Sequence, residues 1–177
     1  MLWIAIHLPD LPLQVFLRAS PSEPLAVTGA QGLLAVGTAA QRLGVRPAMS
    51  VATACALAPG LVLRPRNPRL ENAALDEIAT WVGSFTPNIS LDPPDVVLLE
   101  AAASLRLFGG TASLLNRITA GCDALGYRAT TACAPTPLAA RLLARAGVSA
   151  VIRTPGEIEA ALAPLPIGLI DCAPQAR

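Results

Sequence analysis

The sequence predicts an α+β fold, a βαββαβ core interrupted after its first strand by a small α/β insertion. Three observations carry this. Leu2–His7 is a short apolar run that meets Pro9 and Pro12 almost at once, so it reads as a buried strand that ends abruptly. From Pro68 to Val82 the apolar residues Leu70, Ala73, Ala74, Ile78, Trp81 and Val82 recur at helical spacing. Two further strands, Asn88–Leu91 and Val96–Glu100, are joined through Asp92-Pro93-Pro94-Asp95 and followed by a helix and another strand. With the stretch from about Asp10 to Arg66 set aside, the order is strand, helix, strand, strand, helix, strand. This is the split βαβ pattern of ferredoxin-like domains.

Each element has a local reason. Asp10, between two prolines, is placed to cap a short helix running to about Arg18. Pro24–Gly29 and Gly32–Val36 read as a hairpin, because Gly29-Ala30-Gln31-Gly32 supplies turn chemistry. Thr38–Leu43 is a short helix closed by Gly44, and Ser50 caps a second one that must end before Pro59-Gly60. Leu61–Leu63 is a strand. Gly109-Gly110 opens a helix ending near Gly126. Arg128–Ala134 is a strand, Pro137–Ala146 a helix and Ala150–Ile152 a strand. Thr154-Pro155-Gly156-Glu157 reads as a capping box with proline at the first helical position.

Composition narrows the function classes. The chain has 177 residues, of which 53% are hydrophobic and 14% charged, enough for one substantial core with an insertion. No apolar run reaches the roughly 18–20 residues of a membrane span, and the start lacks a basic segment, so the expected location is the cytoplasm. A net charge of +1 supplies no global field toward nucleic acid, so any such contact must come from local patches. Cys55, Cys122, Cys133 and Cys172 are scattered without CxxC spacing, and neither a metal nor a disulfide is assigned to them.

Element order alone brings two places together. In the split βαβ topology the third strand lies antiparallel beside the first, so His7 and the Asp92–Asp95 turn share one rim of the sheet. Asp10 is expected to serve the helix that follows it and Asp95 to hold the hairpin turn. Glu100 falls about 16 Å up the strand. A hydrogen bond between His7 and Asp92 is the expected fate of those two side chains.

Several segments resemble the Y-family (UmuC-like) translesion DNA polymerases. Phe85-Thr86-Pro87, Ser90-Leu91-Asp92-Pro93-Pro94-Asp95, Leu107-Phe108-Gly109-Gly110 and Ala134-Pro135-Thr136-Pro137 resemble its ImuB-like branch. The resemblance implies a palm formed by 1–10 and 67–153, a fingers-like insertion over 11–66, and a helix with the start of a truncated thumb over 154–177. In that family the first strand ends in a metal-binding Asp, and the hairpin carries Ser-x-Asp-Glu. Those three positions fall here on His7, Asp92 and Pro93. The triphosphate-binding Tyr and Arg of the family fall on Thr38 and Gln41. Its later phosphate-contacting Lys has no clean counterpart, although Arg145 lies nearby.

Two-metal phosphoryl transfer needs carboxylates bridging ions about 3.5–4 Å apart, and Mg²⁺ prefers oxygen ligands. One carboxylate in three positions does not meet that need. The resemblance therefore implies a non-catalytic accessory protein of damage-induced mutagenesis and translesion DNA repair, with no cofactor and no metal. Its implied partners are DNA, held weakly, a sliding clamp, a RecA-like protein and an error-prone replicative-type polymerase. Arg64, Arg66 and Arg69, the densest basic cluster, are candidate DNA phosphate contacts. Two alternatives stay open: an active translesion polymerase with a rearranged site, which would require Mg²⁺, and a ferredoxin-like interaction module unrelated to DNA.

Overall fold

The computed structural model describes residues 1–18 and 22–169. In chain order its elements are β1 (Trp3–His7), α1 (Leu11–Leu17), β2 (Leu25–Gly29), β3 (Gly32–Val36), α2 (Thr38–Arg42) and α3 (Val51–Leu57). There follow β4 (Val62–Pro65), α4 (Pro68–Val82), β5 (Ile89–Asp92), β6 (Val96–Glu100) and α5 (Thr111–Ala124). The last are β7 (Thr130–Ala134), α6 (Pro137–Arg145), α7 (Gly156–Leu162) and a 3-10 turn, Ile167–Leu169. Two compact units result. One joins Met1–Pro9 to the chain from Leu75 onward, and the other is Asp10–Ala74. Among the described residues no helix is long and apolar enough to cross a membrane.

The first unit is built on a four-stranded sheet of order β5-β6-β1-β7, antiparallel throughout. That is the strand order the split βαβ reading requires. Alternation divides its side chains between two faces. Ala5, Val96, Leu98, Ala132 and Ala134 face Ala139, Ala140, Leu143 and Ala144 of α6. Small residues on both surfaces let the helix axis come close to the sheet. Ile4, Ile6, Val97 and Leu99, fully buried, point the other way. Complete burial of each such side chain stabilises the fold by roughly 1.5–3 kcal/mol. On that second face Thr131, the partner of Ile6, lies 3.5 Å from Thr119 of α5 through their hydroxyls. The hydroxyl of buried Tyr127 donates to Glu77 Oε2 at 3.1 Å, tying α4 to the segment entering β7.

The second unit holds a three-stranded sheet, β3-β2-β4, in which β2 and β3 form the expected hairpin and β4 runs parallel to β2. Gly32 has φ +125°, and a Cβ there would lie 2.6 Å from the Met49 carbonyl oxygen. The close approach is needed because Leu33 N–H donates to that oxygen at 2.9 Å, while Ala48 N–H donates to Leu33 O at 2.7 Å. Gly44 closes α2 at φ +89°, and the Ser50 hydroxyl accepts from Thr53 N–H at 3.1 Å to start α3.

Several expectations need correcting. Asp10 begins α1 through its carbonyl, which accepts from Leu13 and Gln14, and its side chain makes no capping bond. Its ψ of 16° lies outside the extended region that a side-chain cap requires. The strand expected at Leu61–Leu63 runs over Val62–Pro65, and that at Ala150–Ile152 reduces to one bridge, Val151 beside Cys133. At Thr154-Pro155-Gly156-Glu157 the proline is the N-cap rather than the first helical residue. The Glu157 carboxylate still reaches back to Arg153 N–H at 3.1 Å and the Thr154 hydroxyl at 2.9 Å. On α4 the buried stripe is Glu71, Ala74, Leu75, Ile78 and Val82, while Leu70 is exposed. The expected truncated-thumb segment lies partly outside the described residues, beyond Leu169.

Candidate functional site

Three strands of the first sheet end level. His7, last in β1, pairs with Val96, first in β6, and Asp92, last in β5, pairs with the same Val96. Thr130 of β7 stands opposite His7 on its other side. His7 and the 92–95 turn do share one rim, as element order predicts. Glu100 sits at the far end, opposite Trp3, where its Oε1 accepts from Leu2 and Ala102 N–H. Two inter-strand spacings, about 9.5 Å, separate the backbones at His7 and Asp92. The intervening β6 is why the expected His7–Asp92 bond does not form.

His7 instead faces Asp95, with Nε2 3.7 Å from Oδ2, a charge-pair distance. The backbone holds Asp95 there: Leu8 N–H, just past β1, donates to the Asp95 carbonyl at 2.9 Å. The side chain of Asp95 is therefore a partner in the rim, beyond the turn-holding role expected of it.

The other partners come from α6. Its first turn is set by Thr136, whose hydroxyl accepts from Ala139 N–H at 3.3 Å, and by Pro137. Arg141 and Arg145, four residues apart, share one helix face. Arg141 Nη1 donates to Asp92 Oδ2 at 3.1 Å, and Arg145 donates to Asp95 Oδ1 from Nη2 at 2.9 Å and Nε at 3.2 Å. The arginine side chains are only 20% and 10% exposed, and the aspartates just over a quarter. Sequence reasoning did not single out Arg141. Its signal was available: two arginines at i, i+4 on a helix that after Pro137 is otherwise made of Ala and Leu.

Burial pushes the Asp95 carboxyl up, but the His7 imidazole and the Arg145 guanidinium outweigh burial and hold it below its ordinary value of 3.8. A depressed folded-state value means that its contribution to stability is complete above the unfolded value. It is lost as pH falls through the folded one. Unfolding measured from about pH 5 down to about pH 2 should show this loss, and Asp95→Asn should flatten it. An unchanged acid slope in Asp95→Asn would contradict the pairing.

Shallow openings flank the rim. One of about 300 Å³ is lined by His7, Pro94, Asp95, Arg145, Gly168 and Leu169. Another of about 210 Å³ is lined by Asp92, Leu98, Pro137, Leu138 and Arg141. A pair of Mg²⁺ ions does not fit the side chains here. Pro93 has no donor, His7 offers an imidazole whose Nδ1 is buried without a protein partner, and both carboxylates are engaged by guanidinium groups. Among the described residues no group of three metal-capable side chains converges.

The remaining predicted positions lie in the second unit. Thr38 opens α2 and is exposed. Gln41 turns its amide back to donate to Val36 O at 2.8 Å, and its own carbonyl accepts from Arg46 Nη1 at 2.7 Å. Arg64 and Arg69 are exposed. Arg66 makes a forked pair with the buried Glu71, Nε to Oε1 at 3.0 Å and Nη2 to Oε2 at 2.8 Å. At Gly109-Gly110, with φ of +78° and +95°, the Gly110 N–H already donates to Leu105 O at 2.8 Å, which suits a sharp turn into α5.

Comparison with known proteins agrees with this frame. Residues 12–145 match the impB/mucB/samB family. The chain is 34% identical over 128 residues to Protein ImuB of Caulobacter vibrioides (strain NA1000 / CB15N), and equally to that of strain ATCC 19089 / CIP 103742 / CB 15. Each match covers 72% of this chain and 28% of the relative, so the chain spans little more than a quarter of those proteins. Among solved structures, DinB from Sulfolobus solfataricus superposes with a TM-score of 0.70 at 20% identity, over 97% of this chain and 54% of that one. An insertion ternary complex of Dbh DNA polymerase gives 0.72 at 19% identity, with the same coverage of 97% and 54%. By this match and by its fold the chain belongs to the impB/mucB/samB family, with the architecture of the N-terminal part of Y-family DNA polymerases.

Proposed function

We propose that this chain is the palm-and-fingers part of an ImuB-like protein of damage-induced mutagenesis that does not itself polymerise. The ferredoxin-like palm is 1–10 with 67–153, and the fingers-like insertion is 11–66. One observation carries the reading: the rim that bears metal-binding carboxylates in the polymerases holds His7, Pro93 and two aspartates, each bound to its own arginine. A two-ion mechanism has no open pair of carboxylates to start from. Thr38 and Gln41 add no cation where a triphosphate would need one. The protein then acts through contacts. Likeness to ImuB supports a place among a sliding clamp, a RecA-like protein and an error-prone replicative-type polymerase. Arg64 and Arg69, exposed at the return of the insertion, are the candidate contacts to DNA phosphates, with Arg66 largely given to Glu71.

Primer extension with Mg²⁺ or Mn²⁺ tests this, run on the chain and on a longer version carrying the segment by which the curated relatives exceed it. No incorporation is expected. Incorporation abolished by Asp92→Ala would establish an active polymerase instead. DNA binding by the longer version should weaken steeply with salt. No binding at any salt would favour an interaction module unrelated to DNA.

A further inference from the structure

We infer that the guanidinium groups of Arg141 and Arg145 are the built-in cations of this rim, standing where divalent ions would otherwise balance Asp92 and Asp95 and excluding them. The inference rests on the reading above only in taking this rim as the counterpart of the metal-bearing one. Two positive charges face two negative charges at 3.1 and 2.9 Å, so the rim is neutral without any ion. The arginines are not loose surface groups. They leave a helix locked onto the sheet through Ala139, Ala140, Leu143 and Ala144, and Arg145 is only 10% exposed. Neither side chain can swing away without leaving a partly buried carboxylate unpaired. A dication approaching either aspartate would meet a fixed positive charge within a few ångströms, and His7 offers imidazole rather than oxygen.

The consequence is that loss of metal binding is doubly secured. Restoring carboxylates at His7 and Pro93 would leave the two intrinsic cations in place. Removing the cations alone should leave the Asp92 and Asp95 carboxylates open to Mn²⁺, held only weakly because no third donor converges on them among the described residues.

The test uses the whole chain and Mn²⁺ alone, with free Mn²⁺ followed by its electron paramagnetic resonance signal. Arg141→Gln/Arg145→Gln keeps donors near both carboxylates but removes the charge. It should bind Mn²⁺ at least about tenfold more tightly than wild type, and Asp92→Asn/Asp95→Asn added to it should abolish the gain. Arg141→Lys/Arg145→Lys, which keeps the charge, should behave as wild type. The charge-restoring His7→Asp/Pro93→Glu variant should gain far less alone than in the double-glutamine background. If the arginines served folding only, the glutamine variant would lose thermal stability and gain no Mn²⁺ affinity. That result, or wild-type binding as tight as the variant's, overturns the inference. Should the double variant not fold, Arg141→Gln alone, on the more exposed of the two side chains, carries the same comparison. The readouts separate from the functional reading. DNA synthesis would sink the latter, whereas equal Mn²⁺ affinity in a protein that makes no DNA would sink only the former.

Discussion

Gly121→Ala is expected to lower the stability of the protein by about 2 kcal/mol, against the usual gain of about 1 kcal/mol when alanine replaces glycine inside a helix. Gly121 lies in α5 where α4 crosses it, and a Cβ there would fall 1.9 Å from Trp81 Cζ2 and 2.3 Å from Cη2. The indole has little room to yield. It packs edge-on against Phe85 at 5.4 Å between centroids, Phe85 packs on Phe108 at 5.1 Å, and the Arg117 guanidinium lies 5.9 Å from the Phe108 ring centre. Accommodating one methyl therefore means parting two helices or displacing a chain of three rings. Overpacking of this kind costs typically 1–3 kcal/mol and occasionally more, which outweighs propensity. Urea unfolding of Gly121→Ala, Trp81→Phe and the double variant measures the clash. The smaller ring should rescue at least about 1 kcal/mol of coupling. Gly156→Ala, at the start of α7 with open space where its Cβ would go, should be neutral or slightly stabilising. Equal effects at the two glycines would mean that Trp81 does not hold the α4–α5 crossing.

The contrast between what could and could not be read from the sequence follows the range of the interactions concerned. Caps and turns are local, so Ser50, Pro137 and Gly44 marked their helix ends correctly. The convergence of His7 with the 92–95 turn is non-local, yet strand order follows from element order, and so it was legible too. Which carboxylate meets which cation was not. His7 and Asp92 share a partner in Val96, and only the width of β6 decides that the imidazole reaches Asp95 instead. Arg141 and Arg145 declare a common helix face, but not the sheet surface they overhang. That depends on the packing of α6 through its alanines. Glu71 misled for the opposite reason. A periodicity argument assigns charge to the solvent side, so the apolar stripe of α4 was drawn through Leu70, when a guanidinium from outside the helix makes burial of the carboxylate tolerable.

That pair yields the second large effect. Arg66→Ala should destabilise the protein by about 3 kcal/mol, because the Glu71 side chain is 2% exposed and would be left as an uncompensated buried carboxylate. The value belongs at the lower end of the range for broken buried pairs, since Arg66 is 40% exposed and its removal opens a path for water. Glu71→Gln in the Arg66→Ala background should recover much of the loss. Arg66→Leu/Glu71→Leu, which removes both charges and keeps bulk, should come within about 1 kcal/mol of wild type. Chemical unfolding followed by far-ultraviolet circular dichroism measures all of these. The ordering matters more than any single value. If the charge-free pair matches the native one, the salt bridge contributes little net energy, and its role is positional. Arg66 N–H also donates to Thr28 O at 3.1 Å, so the side chain leaves the end of β4 at a fixed point beside β2 and fixes where the first turn of α4 must begin. A double-leucine variant that is stable but binds DNA differently from wild type would assign that register to the basic surface formed by Arg64 and Arg69. One that loses the full 3 kcal/mol would place the energy in the ion pair itself.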